Sequence, residues 1–124
     1  MILVDTSIWI DHLRTGDAAL VRLLNDNAVL AHPWVTGELS LGDLRHRDEV
    51  ISLLRGLPQA VVADEDEVLR LVDREGLYGT GIGYVDAQLL AATRLTPDAR
   101  LWTRDRRLAT VTAQLELDHS EGRA

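Results

Sequence analysis

Short apolar runs, separated by longer stretches with helical periodicity, recur from one end of this chain to the other. The runs span residues 2–4, 28–31, 60–63, 100–103 and 115–117. Short apolar runs are typical of buried strands, and strands that alternate with helices form βαβ units with a parallel sheet. We therefore predict an α/β fold with a central, mostly parallel sheet of four to five strands flanked by helices.

The length and composition fit one folded domain over residues 1–124. Hydrophobic residues make up 46% of the chain and the charges are mixed, which is typical of globular proteins. No apolar run approaches the roughly 20 residues that a membrane-spanning helix needs. The N-terminus lacks the basic start and the cleavage site of a signal peptide. We expect a cytoplasmic protein that does not associate with membranes.

Two missing residue types narrow the chemistry. The chain has no cysteine, which excludes disulfides, thiolate metal sites and thiol nucleophiles. All 13 basic residues are arginine, so Schiff-base chemistry and the phosphate-binding lysine of P-loop enzymes are also excluded. The net charge of −7 does not suit tight binding of long nucleic acids. It favours weak intrinsic affinity, a small arginine-lined approach or an arginine-rich protein partner.

Four acidic residues stand out because each ends an apolar run or interrupts an apolar helix pattern. They are Asp5, Glu38, Asp86 and Asp105. In parallel sheets, ligands gather beyond the carboxyl ends of the strands, where Asp5 and Asp105 are predicted to lie. Carboxylates brought together there would repel one another unless divalent cations neutralised them.

A simpler interpretation exists for three of these residues. Asp5 and Asp105 each precede a predicted helix, and aspartate is a common helix N-cap. Asp86 is predicted in the first turn of a helix, where a negative charge complements the helix dipole. Glu38 is harder to explain in this way, because it interrupts an apolar helix pattern with a charge that a core would not tolerate alone.

The acidic residues lie within segments that resemble the PIN-domain nucleases and, more narrowly, the VapC-type toxins of bacterial toxin–antitoxin pairs. The segments that carry the resemblance are residues 4–10, 37–39, 85–89 and 102–105, in that order along the chain. The resemblance implies a metal-dependent endoribonuclease that hydrolyses RNA phosphodiester bonds with a metal-activated water. It implies Asp5, Glu38, Asp86 and Asp105 as catalytic residues and as ligands of Mg²⁺ or Mn²⁺. It also implies a cognate antitoxin, an RNA substrate and a homodimer.

Hydroxyl and guanidinium groups near the acidic residues are candidates for substrate binding. They are Thr6, Thr103, Arg104, Arg106 and Arg107. The two threonines are equally compatible with helix caps or strand ends, and the arginines with a solvated face that balances nearby acids. Three tryptophans, Trp9, Trp34 and Trp102, neighbour the same segments and have the surface to stack bases. Core packing is the expectation for all three, because aromatic residues total only 4% of the chain.

Two other functions remain open at this stage. A receiver-like phospho-signalling domain has a similar α/β plan, and Asp64 is a possible phosphoryl acceptor. Such a domain also needs a lysine after a later strand, and the chain has none. A catalytically inert binding module with the PIN fold is the other alternative. Clustered carboxylates without a metal argue against it because they destabilise one another.

Overall fold

A computed structural model describes residues 1–120, and the end of the predicted domain at 121–124 lies outside the described residues. Within residues 1–120, strands and helices follow in the order β1 (Ile2–Val4), α1 (Thr6–Thr15), α2 (Ala18–Asn25), β2 (Val29–Leu30), α3 (Pro33–Ser40), α4 (Arg47–Gly56), α5 (Glu65–Glu75), α6 (Tyr84–Leu95), β3 (Arg100–Trp102) and α7 (Arg106–Gln114). None of the helices in this part of the chain is long and apolar enough to cross a membrane.

The strands form a parallel sheet in the order β2-β1-β3. This arrangement confirms the predicted α/β class with a parallel sheet. Among residues 1–120 the sheet has three strands rather than four to five, because each outer segment makes a single bridge there, Ala31 with Gln59 and Leu101 with Asp118. Beyond the first bridge, the Val61 amide donates to Thr96 Oγ1 at 2.9 Å instead of to a strand, so the 60–63 segment leaves the sheet.

The central strand β1 lies in the middle of the core. Leu3 and Val4 are fully buried, and helices contribute fully buried leucines such as Leu20, Leu54 and Leu89 around them. Because the three strands are parallel, their carboxyl ends finish at one edge of the sheet. The segments that leave this edge are those that carry Asp5, the α3 helix and Asp105.

The α3 helix begins at a buried histidine. His32 is fully buried, and its Nδ1 accepts a hydrogen bond from the Trp34 amide at 3.0 Å. Pro33 then occupies the first turn, where its fixed φ suits a helix and its missing N–H costs nothing. This start fixes the direction of α3 and therefore the positions of Trp34 and Glu38.

Candidate active site

Asp5 and Thr103 meet at the carboxyl ends of two neighbouring strands. Val4 pairs with Trp102, so the next residue of each strand lies at the sheet edge. Thr103 Oγ1 donates to Asp5 Oδ2 at 2.7 Å, and Ser7 Oγ donates to the same oxygen at 2.8 Å. Asp5 is 6% exposed. Every hydrogen bond that residues 1–120 give to this carboxylate reaches Oδ2, which leaves Oδ1 for another ligand.

Asp105 is joined to Asp5 through the Thr103 hydroxyl. The Asp105 amide donates to Thr103 Oγ1 at 3.0 Å. Asp105 Oδ1 accepts from the Leu108 amide at 3.0 Å, and Asp5 accepts weakly from the Ser7 amide at 3.4 Å. Both aspartates therefore cap helices, as the simpler interpretation proposed. In each case capping uses one oxygen and leaves the other, so a cap and a site ligand are compatible roles.

Glu38 is exposed on α3 rather than buried in the core. Thr6, the first residue of α1, donates from Oγ1 to Glu38 Oε1 at 2.7 Å. This bond links α3 to the helix that follows Asp5. The expectation that Glu38 needs compensation for burial is therefore wrong, although the residue does lie next to the Asp5 segment.

Asp86 lies in the first turn of α6 and its Oδ2 accepts from the Gly83 amide at 3.0 Å. Its pKa is raised above the ordinary value of 3.8, first by partial burial. The Gly83 hydrogen bond opposes this change, whereas the negative charges of Asp5, Asp105 and Glu38 reinforce it. The charges of Asp5, Asp105 and Glu38 therefore each reach Asp86.

The carboxylates fit a hard divalent cation. Oxygen ligands without sulfur or nitrogen suit Mg²⁺ and Mn²⁺, and a cation would relieve the mutual repulsion around Asp86. Within residues 1–120, no three acidic or histidine side chains are arranged closely enough to hold a metal ion by themselves. Mg²⁺ usually retains several waters and takes only one or two protein carboxylates, so a looser set of acids suits it.

Comparison with known proteins agrees with this arrangement. Residues 2–114 match the family model of the PIN domain. The chain belongs to the PIN-domain family. It is also similar to Ribonuclease VapC32 from two strains of Mycobacterium tuberculosis, CDC 1551 / Oshkosh and ATCC 25618 / H37Rv. Each relative is 54% identical over 114 residues, which cover 92% of this chain and 92% of the relative. The resemblance inferred from the four acidic segments is thereby confirmed.

Arg104 of this PIN domain is held inside an ion-pair network. Its Nη1 lies 2.9 Å from Asp11 Oδ2 and its Nη2 lies 2.5 Å from Asp17 Oδ2, while the guanidinium carbon lies 5.4 Å from the Trp102 ring centroid. Burial alone would raise the pKa of Asp17, but the hydrogen bond and charge of Arg104 help to lower it below 3.8. The Arg104 amide also donates to Ser7 Oγ at 3.1 Å.

Arg106 and Arg107 are exposed at the start of α7 of the PIN domain. The Arg107 side chain lies against the glycine-rich loop before α6. A Cβ built on Gly81 would be 3.0 Å from both Cδ and Nη1 of Arg107, and Gly81 itself has a φ of +87°. The glycine therefore lets the arginine lie flat on the loop that leads into Asp86.

The aromatic residues divide into two groups. Trp9 and Trp102 are 2% and 1% exposed, as expected for core residues, but Trp34 is 40% exposed. The prediction of core packing is therefore wrong for Trp34, which contacts Tyr84 at the surface. Sequence reasoning also missed Ser7, although a serine two residues after a strand-end aspartate is a common partner in a helix-capping turn.

Proposed function

We propose that this PIN domain is a metal-dependent endoribonuclease that hydrolyses RNA phosphodiester bonds and acts as the toxin of a toxin–antitoxin pair. The observation that carries the proposal is the geometry at the carboxyl ends of the strands. There Thr103 Oγ1 donates to Asp5 Oδ2 at 2.7 Å, the Asp105 amide donates to the same hydroxyl at 3.0 Å, and the charges of Asp5, Asp105 and Glu38 act on Asp86. The name of the two relatives, Ribonuclease VapC32, supports RNA as the substrate class.

We assign the metal site to Asp5, Glu38, Asp86 and Asp105, with Mg²⁺ or Mn²⁺ as the cofactor. When bound, such an ion lowers the pKa of water and neutralises charge that develops on the phosphate. The unbonded Oδ1 of Asp5 and the carboxylate of Asp86 are the strongest candidates for direct contact. Glu38 and Asp105 lie at more exposed positions, which suits contact through water.

The hydroxyl groups act on the carboxylates. Thr103 and Ser7 donate to one oxygen of Asp5, and Thr6 donates to Glu38. These bonds fix the directions in which the two carboxylates point. Thr6 and Thr103 are thus proposed as orienting residues of the site. They act on RNA indirectly, by orienting the carboxylates to which they donate.

The arginines have different proposed roles. Arg106 and Arg107 are exposed beside Asp105 and are candidates for contacts with RNA phosphates. Arg104 was also predicted to bind substrate, but its guanidinium already pairs with Asp11 and Asp17. We assign Arg104 the role of holding the 103–105 loop in place. In this way it positions Thr103 and Asp105.

The partners follow from the same proposal. A cognate antitoxin, a homodimer and a cytoplasmic location are the expectations for a toxin of this type. The net charge of −7 supports an antitoxin that contributes arginine to the interface. The alternative of a receiver-like signalling domain gains no support, because such a domain needs a lysine after a later strand and the chain has none.

Cleavage of RNA by the purified protein tests the proposal. We expect cleavage with Mg²⁺ or Mn²⁺, loss with a chelator and recovery when excess metal is added. Asp5→Asn should lower the cleavage rate by at least about 100-fold. Loss of a residue that only hydrogen-bonds to a metal ligand already lowers activity by up to about this factor. Asp26→Asn is the matched control, because Asp26 lies before β2 at the opposite end of the sheet. Cleavage that survives both chelator and Asp5→Asn would contradict the proposed function.

A further inference from the structure

An exposed aromatic pair lies beside the carboxylates. Trp34 is 40% exposed and Tyr84 is 45% exposed. Their ring centroids are 5.7 Å apart with an interplanar angle of 65°, which is an edge-to-face contact. Exposed aromatic rings are surfaces on which unpaired bases stack. The four carboxylates and their hydroxyl partners do not use either ring.

The pair is attached to the carboxylates through two helices. Trp34 precedes Glu38 by four residues in α3. Both side chains therefore lie on one face of the helix, with about 6 Å between their Cβ atoms. Tyr84 precedes Asp86 by two residues in the first turn of α6. The buried Gln88 donates from Nε2 to the Tyr84 hydroxyl at 3.1 Å, which fixes the direction of that ring.

A groove of about 450 Å³ lies beside Trp34 and shares Glu38 with the carboxylate site. Its other walls include Pro33, Leu41 and Val85, so its surface is mostly apolar. Gly37 also lines the groove, and within residues 1–120 no atom outside its own turn of helix lies within 4 Å of the place where a Cβ would stand. A groove of this size falls in the range of small-ligand sites.

We propose that this groove binds one nucleobase of single-stranded RNA, next to the phosphodiester that is cut. The proposal deepens the proposed function, since it rests on RNA as the substrate. Apolar and aromatic walls suit the face of any base, and Glu38 is common to the groove and the carboxylate site. Because the net charge of −7 gives little general attraction to phosphates, stacking supplies affinity that charge does not. Bases inside a duplex are already stacked, so the groove selects unpaired bases.

Tryptophan fluorescence offers a direct test. Trp9 and Trp102 are buried, so a bound base should quench mainly Trp34. The probe is a short single-stranded oligoribonucleotide added to the Asp86→Asn variant, which should bind RNA without cutting it. An oligomer of the same length without bases is the matched probe. We expect quenching by the first probe and little by the second.

Variants at two positions separate stacking from general stability. Trp34→Ala should weaken binding of a labelled oligomer by roughly 10- to 100-fold, the scale for loss of one stacked base, and Trp34→Phe should restore most of it. Gly37→Leu should fill the groove and also weaken binding. Gly37→Ala adds only a methyl group at an open helical position and is the control for folding.

Each outcome decides the proposal. Unchanged RNA affinity in both Trp34→Ala and Gly37→Leu would overturn it. The same would follow if Trp34→Ala altered the molecular mass in solution and left RNA affinity intact, since the groove would then be a contact between copies of the chain. Base-dependent quenching without any RNA cleavage by the wild-type protein would retain the base site and reject the nuclease. RNA cleavage by Trp34→Ala with an unchanged KM would retain the nuclease and reject the base site.

Discussion

Asp86 is partly buried at the start of α6 and faces the negative charges of Asp5, Asp105 and Glu38. A carboxyl group whose pKa is raised by folding binds protons more readily in the folded state. Its ionised form therefore lowers the free energy of unfolding at neutral pH. Without a cation, burial and the neighbouring negative charges destabilise the ionised Asp86, and a bound cation would offset the repulsion.

Asp86→Asn should therefore raise the melting temperature in the presence of a chelator. The amide keeps an oxygen that can accept from the Gly83 amide but removes the charge. The wild-type protein should be stabilised by Mg²⁺ and the variant much less, because binding to the folded state alone raises stability. Thermal unfolding with chelator and with Mg²⁺ measures both effects. A variant that is less stable than the wild type in chelator would contradict the repulsion.

His32 should make the protein sensitive to mild acid. Burial lowers the pKa of its imidazole from 6.5 to about 4, so between these values the unfolded chain binds a proton that the folded chain does not. The free energy of unfolding should fall as the pH decreases from 6.5 towards 4, by up to about 3 kcal/mol.

Urea unfolding at several pH values measures this loss. His32→Asn is the matched variant, because asparagine can also cap α3 but does not titrate. The variant should lose less stability than the wild type over the same pH range. Equal losses in the two proteins would show that other groups cause the acid sensitivity.

At the level of single residues, the sequence was informative where a charge interrupted an apolar pattern. Asp5, Glu38, Asp86 and Asp105 were found in this way, and the structure brings the charges of the other three within reach of Asp86. The exposure of Trp34 was not predictable, because apolarity alone does not say which face of α3 meets the core. That choice depends on how α3 packs against the helices α1 and α4, which the pattern of α3 itself does not show.

Among the elements, the loop between β3 and α7 is fastened to α1 and α2 by Arg104. The guanidinium joins Asp11 of α1 to Asp17, which also caps α2 through the Leu20 amide. The backbone of the same residue contacts Ser7. The 103–105 loop, α1 and α2 are thus held together beside the Thr103 and Ser7 hydroxyls, which donate to the Asp5 carboxylate.

Arg104→Met should lower kcat while changing KM little, because the residue positions the site and does not bind RNA. We expect a loss of stability of about 1 kcal/mol, the scale of a partly exposed ion-pair network. Arg104→Lys should recover part of kcat by restoring one ion pair. Arg14→Met, an exposed arginine of α1, is the control and should change neither quantity. A rise in KM with unchanged kcat would instead indicate direct RNA binding by Arg104.

The glycine-rich loop before α6 allows a second matched comparison. Gly81→Ala and Gly79→Ala both place alanine at a positive φ, of +87° and +76°, and each should cost about 1 kcal/mol. Only Gly81→Ala meets the Arg107 side chain, so only this variant should raise KM for RNA. Thermal unfolding and steady-state cleavage separate the two effects. An equal rise of KM in both variants would mean that loop strain, not Arg107, is responsible.

The alternation of strands with helices and the parallel sheet were predicted correctly, because both follow from the periodicity of apolar residues. It failed for the outer strands, where the 60–63 and 115–117 segments each lie near a single bridge. Apolar composition does not decide whether an extended segment finds a partner. Here the Thr96 hydroxyl accepts a hydrogen bond from the Val61 amide, and the strand pairing that begins at Gln59 ends there.

For the whole molecule, the net charge of −7 should set an unusual response to salt. A protein that binds RNA through a basic surface loses roughly 10³- to 10⁵-fold in affinity between about 50 and 200 mM salt. We expect less than about a tenfold loss here, because screening also weakens the repulsion between RNA and the acidic surface. Binding of a labelled oligomer to Asp86→Asn at fixed Mg²⁺ measures the slope. A steep loss would reveal a basic surface that the total charge conceals.

Thr103 reaches Asp5 across 98 positions of the chain, because β3 follows β1 and β2 in sequence. A ribosome therefore makes the strand that precedes Asp5 well before it makes the strand that precedes Thr103. A nascent chain therefore carries Asp5, Glu38 and Asp86 before it has the hydroxyl that orients the first of them. For a protein proposed to cut RNA, this order of synthesis keeps the cutting site unfinished until β3 has been made.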